Sequence, residues 1–494
     1  MRKILIPQKE IKNRHPKGMT SYTDGEYAKF ANKLMAQIEA FGVVDMTSKE
    51  QRDIAINLTM YFEDVLADAG IWRGFTDKMH EMYGKYLPFY DIDESEYFQD
   101  EPNLEDVRFI IWHTLLNNRA SEGRVTNPET PAIMDLAPVL YLYMQNQFEE
   151  MPVNEDLKEY FEDAKFMDDF YIQRDVLKWL CYGCYLTYIP NCEDYIRGVA
   201  EEYVEMLGGQ MNSAFYLSES LIPFQDKIGP LAMPSTEWLA MILRANDNEE
   251  KAAWVEEEKC LDFNACRLVD AQVGKGMTFE SAEGEQFFVS SYNLNNPGAN
   301  CYECDVVLGS YVRYRDEWYA NADSSWIPDG TEAFEQVKRE LEAKKVNNGS
   351  KYDKLLKKSG GNPFFYFGDI QSLKTFLVKE FDMPKDMAAG MNLPGKEKVA
   401  LGLMGKDKAF ALILKAPICL KDERNPYYDK KEAKKYALQV AMQMPEPLLK
   451  FAMEHDMLPD AALNSIHGEE RGKELFRNDY DFLVRSVMRE EYKG

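Results

Sequence analysis

Apolar residues recur at spacings of three and four through residues 20–258 and at every second position through a short central stretch, and the change of period divides the chain. After Thr47 and Ser48, the apolar positions Ile54, Leu58, Tyr61, Phe62 and Val65 trace one buried face of a helix. A side-chain oxygen of Thr47 or Ser48 can accept an orphan backbone N–H at its start, and Gly70 can end it. Similar segments follow at about 104–118, 131–148, 167–188, 193–207 and 235–245, separated by turn signals such as Asn127-Pro128 and Gly208-Gly209. No period of fixed length repeats the same residues, so residues 1–258 are expected to form one irregular helical domain and not a repeat array.

Residues 259–328 switch to period two. Val306, Leu308, Val312 and Tyr314 fall on one face of a strand and Val307, Tyr311 and Arg313 on the other, the pattern of a half-buried strand. Arg315, Asp316 and Glu317 make a polar turn before Trp318 and Tyr319 resume the apolar pattern, and a second hairpin is expected around Ala282-Glu283-Gly284. A lone hairpin is marginal in water, so several short strands in one stretch predict a small SH3-like β barrel.

From residue 329 to 494 the order is mixed. A charged helix at about 331–345 leads into KYDKLLKKSGG, where Gly360-Gly361 punctuate a linker. FFYF, VALGLMG and AFALILK read as strands, and 370–381, 429–443, 446–456 and 474–490 as helices. The whole is an α+β protein: helical domain 1–258, barrel module 259–328, α+β domain 329–494.

Composition narrows the setting. A chain of 494 residues with 45% hydrophobic and 13% aromatic residues is ordered and long enough for two or three domains. Its longest apolar runs, IMDLAPVLYLYM and VLKWLCYGCYLTYI, fall short of the roughly 20 residues of a membrane helix, and each contains a charge, Asp135 or Lys178. They are expected to be buried core helices, without a membrane partner. The opening MRKILIPQKE is too poor in apolar residues for a signal-peptide core, and eight cysteines then suggest reduced thiols in the cytoplasm.

Charge is distributed unevenly. Residues 331–494 hold 29 basic and 26 acidic residues, which leaves 29 and 58 in residues 1–330, so +3 stands against −29 within a total of −26. The acidic part should repel nucleic acid. An anion is expected to approach the C-terminal third, at the run Lys344, Lys345, Lys351, Lys354, Lys357 and Lys358, weakly and with strong salt dependence.

Candidate chemistry is sparse. GMNLPGKE, residues 390–397, is one residue away from a phosphate-cradling loop, but Glu397 stands where a hydroxyl should hold magnesium, and a strand follows where a helix should begin. Cys181/Cys184 and Cys301/Cys304 are two Cys-x-x-Cys pairs too widely separated in sequence for a zinc ribbon, and the first lies in an apolar helical run. His80-Glu81 begins a metalloprotease pattern that Gly84 breaks. Glu454, His455, Asp456, Asp460, His467 and Glu469 form the densest group of metal-type side chains, though His455 also suits a helix C-terminus, where the dipole favours a cation. No G-x-S-x-G nucleophile elbow occurs. Neither a metal nor a cofactor is expected on these grounds.

Tyr311, Arg313, Trp318 and Tyr319, near Arg315 and Trp326, have the aromatic-plus-arginine composition of an interaction surface, although strands favour aromatics in any case. GSYVRYRDEWYANADSSW, ERNPYYD, MLPDAAL and NDYDFLVR together resemble a bacterial family of uncharacterised proteins, classed as a domain of unknown function. The resemblance implies a bacterial cytosolic protein and assigns no catalytic residue. The expected role is a non-enzymatic protein-interaction or adaptor protein with Tyr311, Arg313, Trp318 and Tyr319 facing a protein partner. The alternative is a metal-assisted or phosphate-handling enzyme in the C-terminal third, using Lys396 or the group from His455 to His467.

Overall fold

The computed structural model describes residues 5–42, 46–119, 126–294, 301, 303–391, 397–405, 410–458, 462–463, 465 and 467–487. Helix occupies 55% and strand 13%, which makes the protein α+β. The chain divides into two compact units, Met1–Glu335 and Gln336–Gly494.

In the first unit the helix Ser48–Ala67 is buried along most of its length, between the helices Asp24–Phe41 and Leu104–Arg119. A capping box starts it, in which Thr47 accepts from the Glu50 N–H and the Glu50 carboxylate accepts from the Thr47 N–H. Asp68, in the left-handed conformation, ends it. Gly70 instead begins the next helix, Ile71–Tyr83. Glycine has no side chain to cap with, and Asp64 supplies the oxygen, accepting from the Ile71 and Trp72 N–H groups at 3.1 and 2.7 Å and from the Tyr185 hydroxyl at 2.8 Å. The interior is aromatic: Phe109 lies 5.8 Å from Trp72 and 5.6 Å from Trp112, and Phe75 lies 6.2 Å from Trp238.

A short hairpin of β1 (Lys227–Ile228) and β2 (Met233–Pro234) precedes the β module. The module contains β3 (Lys259–Gln272), β4 (Gly276–Ser281), β5 (Gln286–Ser290), β6 (Val306–Tyr314), β7 (Glu317–Ala320) and β8 (Ser325–Ile327). Their pairing order is β3-β4-β5-β7-β6-β8, and β3 also pairs with β6, so five strands close into a ring. The ring is joined at β5 and β7 by a single parallel bridge, Val289 to Trp318, and the remaining pairs are antiparallel. These pairings establish closure and not a likeness to SH3 domains. The hairpin around Ala282-Glu283-Gly284 is present, with Phe279 opposite Phe287.

The half-buried reading of β6 needs correction. Val307 and Tyr311 point into the ring with Phe279, Phe287 and Trp318, while Leu308 on the other face packs against Ala200, Leu217 and Leu221 of the helical part. Both faces are covered because helices of the same unit lie against the outside of the ring.

The second unit carries β9 (Phe364–Phe367), β10 (Val399–Leu403) and β11 (Phe410–Leu414), an antiparallel sheet in the order β11-β10-β9. All five residues of β10 are buried. Val399, Leu401 and Leu403 pack with Leu373 and Leu377 of the helix Ile370–Glu380, and on the opposite face a Cβ at Gly402 would lie 2.2 Å from Leu448. Glycine there permits the close approach. The helix beginning at Thr331 runs through the lysine-rich stretch to Lys358, where a linker was expected. Among the described residues no helix is long and apolar enough to cross a membrane.

Asp106 is fully buried and accepts from the Tyr61 and Tyr97 hydroxyls at 2.6 and 2.9 Å and from the Asn103 amide at 3.1 Å. Burial raises its pKa to about 7 against the opposing effect of those donors. Because the folded state holds this proton more tightly, the group costs stability increasingly as pH rises from about 4 to about 7. Asp106→Asn should therefore gain on the native chain by on the order of 3 kcal/mol between those limits. Urea midpoints at pH 4.5, 6 and 7.5, read by tryptophan fluorescence, test this, because all seven tryptophans lie in the first unit. Parallel pH profiles for the two proteins would refute it.

Candidate functional site

The helix Phe170–Tyr182 follows an N-cap in which Asp169 accepts from the Tyr171 and Ile172 N–H groups. Within it Tyr171, Arg174, Asp175, Lys178, Trp179 and Tyr182 are spaced by three, one, three, one and three, so they form one stripe of the 3.6-residue period. The stripe lines a cavity of about 830 Å³ in the first unit. Tyr216 and Glu219, one turn apart on the helix Met211–Gln225, form a second wall. Residues 12–20, which follow the helix Gln8–Lys12, form a third.

Three contacts hold this third wall in place. The Trp179 indole N–H donates to the Arg14 carbonyl at 2.7 Å, and Lys17 pairs with Asp175 at 2.8 Å. His15, buried, places Nε2 2.9 Å from a Glu63 oxygen and Nδ1 3.5 Å from Asp24. The other Glu63 oxygen accepts from the Asn154 amide at 2.7 Å. Burial alone would depress the His15 pKa, but the hydrogen bond and charge of Glu63, aided by the charge of Asp24, outweigh it and raise the value.

The cations set the character of the cavity. Lys12, Lys17, Arg174 and Lys178 line it, against the carboxylates Asp175 and Glu219. Arg174 is 5% exposed. Its guanidinium donates to the Asn321 carbonyl, to the Asn321 side-chain oxygen at 3.3 Å and to the Tyr216 hydroxyl at 3.1 Å, and the Nε is buried without a partner. The rings of Tyr171 and Tyr216 lie 5.2 and 5.9 Å from it. Among the described residues no carboxylate is within ion-pairing distance of Arg174; Asp175 is taken by Lys17, and Glu219 is 3.4 Å from the Lys178 ammonium. Lys178, 9% exposed, lies 5.1 Å from the Tyr216 ring centre, and burial followed by the charge of Arg174 lowers its pKa.

The residues singled out in the sequence lie elsewhere. Tyr311 is fully buried and Trp318 8% exposed, both in the core of the strand ring, where apolar burial holds them. Tyr319 is half-buried and stacks on Phe170 at 4.7 Å, and Arg313 is exposed. The four do not share one exposed face. Cys181 and Cys184 are buried; Cys301 and Cys304 are half-buried. His455 is exposed at the end of the helix Glu446–Glu454, with Nδ1 2.8 Å from the Phe451 carbonyl and its ring stacked on Phe451. Lys396 and Asp460 lie outside the described residues. Among the described residues no group of three or more His, Cys, Asp or Glu side chains converges as a metal site. In the lysine run, Lys351 pairs with Asp382, and Lys354 and Lys358 with Glu380.

Of the cavity residues only Lys178 stood out in the sequence, as a charge interrupting an apolar run. The stripe carried a further signal, since Arg174 and Lys178 are one helical turn apart among aromatics. Tyr216 and Glu219 carried none, because their place depends on how two helices meet.

The buried imidazole yields a prediction. A raised folded pKa means that the ion pairing of His15 stabilises fully below the ordinary histidine value near 6.5 and is lost as pH climbs through the folded value. His15→Gln should lower the urea midpoint most at pH 5.5 to 6.5, and the gap should narrow toward pH 9. A gap independent of pH would show that folding leaves the His15 pKa unshifted, and a gap that widens with pH would show that His15 is buried neutral; either refutes the prediction.

Residues 5–278 and 319–489 match the family described as protein of unknown function (DUF3843), and the chain belongs to that family. The cavity residues named above fall inside the matched segments. No curated protein and no solved structure matches the chain.

Proposed function

We propose that this member of the DUF3843 family binds a small organic anion in the cavity of its first unit. The observation that carries the reading is Arg174, a buried guanidinium with an unpartnered Nε and, among the described residues, no carboxylate within ion-pairing distance, one helical turn from a buried lysine. Isolated buried charge is expensive, and two adjacent buried cations repel. An anionic ligand between Arg174 and Lys178 supplies the missing charge, and a guanidinium donates to a carboxylate or phosphate in a fixed fork. Tyr171, Trp179 and Tyr216 then offer apolar surface to the rest of the ligand, as small-molecule sites do.

A protein-docking role on the β module would rest on Arg313 and the half-buried Tyr319, since Tyr311 and Trp318 are enclosed. An enzymatic role for the C-terminal third would rest, among the described residues, on the exposed His455 and on His467. Neither has an unbalanced buried charge behind it.

Calorimetric titration of the full chain with succinate and with inorganic phosphate tests the proposal. One-to-one binding of at least one probe is expected. Lys178→Met should weaken it about tenfold, equivalent to roughly 1.4 kcal/mol, and Arg174→Met should do so more severely. Absence of heat with both probes, or binding unaffected by Lys178→Met, would sink the proposal.

A further inference from the structure

We infer that Lys178 is a nucleophile, and that the cavity takes a 2-oxo acid whose carbonyl carbon condenses with the Lys178 amine while its carboxylate lies against Arg174. The inference rests on the anion-binding reading above and adds the chemical class of the ligand.

Geometry carries it. An amine meant only as a charged anchor is best served by a short, solvated ion pair, whereas the Lys178 nitrogen is enclosed, faces the Tyr216 ring at 5.1 Å and has Glu219 no closer than 3.4 Å. Arg174 precedes it by one turn on the same face, so a carboxylate held by the guanidinium brings the adjacent carbonyl toward the amine. Desolvation and a neighbouring cation are the two devices by which enzymes make a lysine nucleophilic near neutral pH, and both operate here. The amine is therefore neutral more often than a surface lysine.

The step balances. The lone pair of the neutral amine forms the C–N bond as the carbonyl π electrons move to oxygen, which takes a proton from solvent to give a carbinolamine. Glu219, placed to accept a proton from the nitrogen, returns one to the departing hydroxyl, and water leaves as the C=N bond forms. The products are a protonated imine on Lys178 and one water, with no oxidant or reductant needed. Tyr182 donates its hydroxyl to the Glu219 backbone carbonyl at 3.1 Å and ties the two helices together at that turn.

The experiment incubates the full chain with 2-oxoglutarate and borohydride, then maps reduced adducts by peptide mass spectrometry. Labelling of Lys178 at least roughly tenfold above that of any other lysine is expected, and should rise from pH 6 to pH 8. In Lys178→Arg the label should vanish from that peptide without moving to another lysine. Succinate and 2-oxoglutarate binding without a trapped adduct would overturn the inference and leave anion binding standing. Labelling spread evenly over exposed lysines such as Lys17 would also overturn it. If neither compound binds but inorganic phosphate does, the inference falls and anion binding stands; if phosphate fails as well, the anion-binding reading falls with it.

Discussion

The guanidinium of Arg174 joins the three parts of the first unit. It starts on the helix Phe170–Tyr182, donates to the backbone and side chain of Asn321 just after β7, and donates again to Tyr216 on the helix Met211–Gln225. Asn321 is itself fully buried, its amide donating to the Ser220 carbonyl and its N–H to the Ser310 carbonyl of β6. A buried polar group is tolerated only with its partners in place, so these groups fix the seat of the strand ring against the helices. The cavity exists because that seat leaves space beside Arg174, and its charge is the charge that the joint requires.

The proposed anion site lies within the acidic part of the chain, and the two are compatible. Net charge governs long-range approach, screened over about 8 Å at physiological salt, while affinity in a recess depends on the few groups facing it. Of the residues 331–494 that seemed more hospitable, Lys351, Lys354 and Lys358 are engaged with Asp382 and Glu380. Arg174, by contrast, is internal and is held by hydrogen bonds to neutral groups. Such an arrangement preorganises a site, because its donors are already desolvated before a ligand arrives.

Much of the element order was legible in the sequence, for reasons visible in particular residues. The helix Ser48–Ala67 announced itself through a cap at Thr47 or Ser48 and its apolar spacing, and β10 through a short apolar run bounded by turn residues. Gly70 was misassigned because a glycine after a helix ordinarily ends it, whereas here Asp64 reaches across to cap the following helix and frees Gly70 to begin it. After the charged helix expected at about 331–345, the stretch KYDKLLKK reads as leading into a polar linker, yet it is helical to Lys358, since lysine is a good helix former and Leu355 is buried in the second unit's core.

What the sequence determined by itself was local: where the period is 3.6 or 2, where caps and turns fall, that the class is α+β, and that Lys178 stands in an apolar run. These follow from backbone geometry and nearest neighbours. Only the tertiary structure decided that β6 is covered on both faces, that Tyr311 and Trp318 belong to a core, and that residues 12–20 meet a helix more than 150 positions away at Trp179 and Asp175. Burial and charge balance are properties of a three-dimensional neighbourhood. No period in the chain records that Arg174 finds Asn321 and Tyr216 and, among the described residues, no carboxylate.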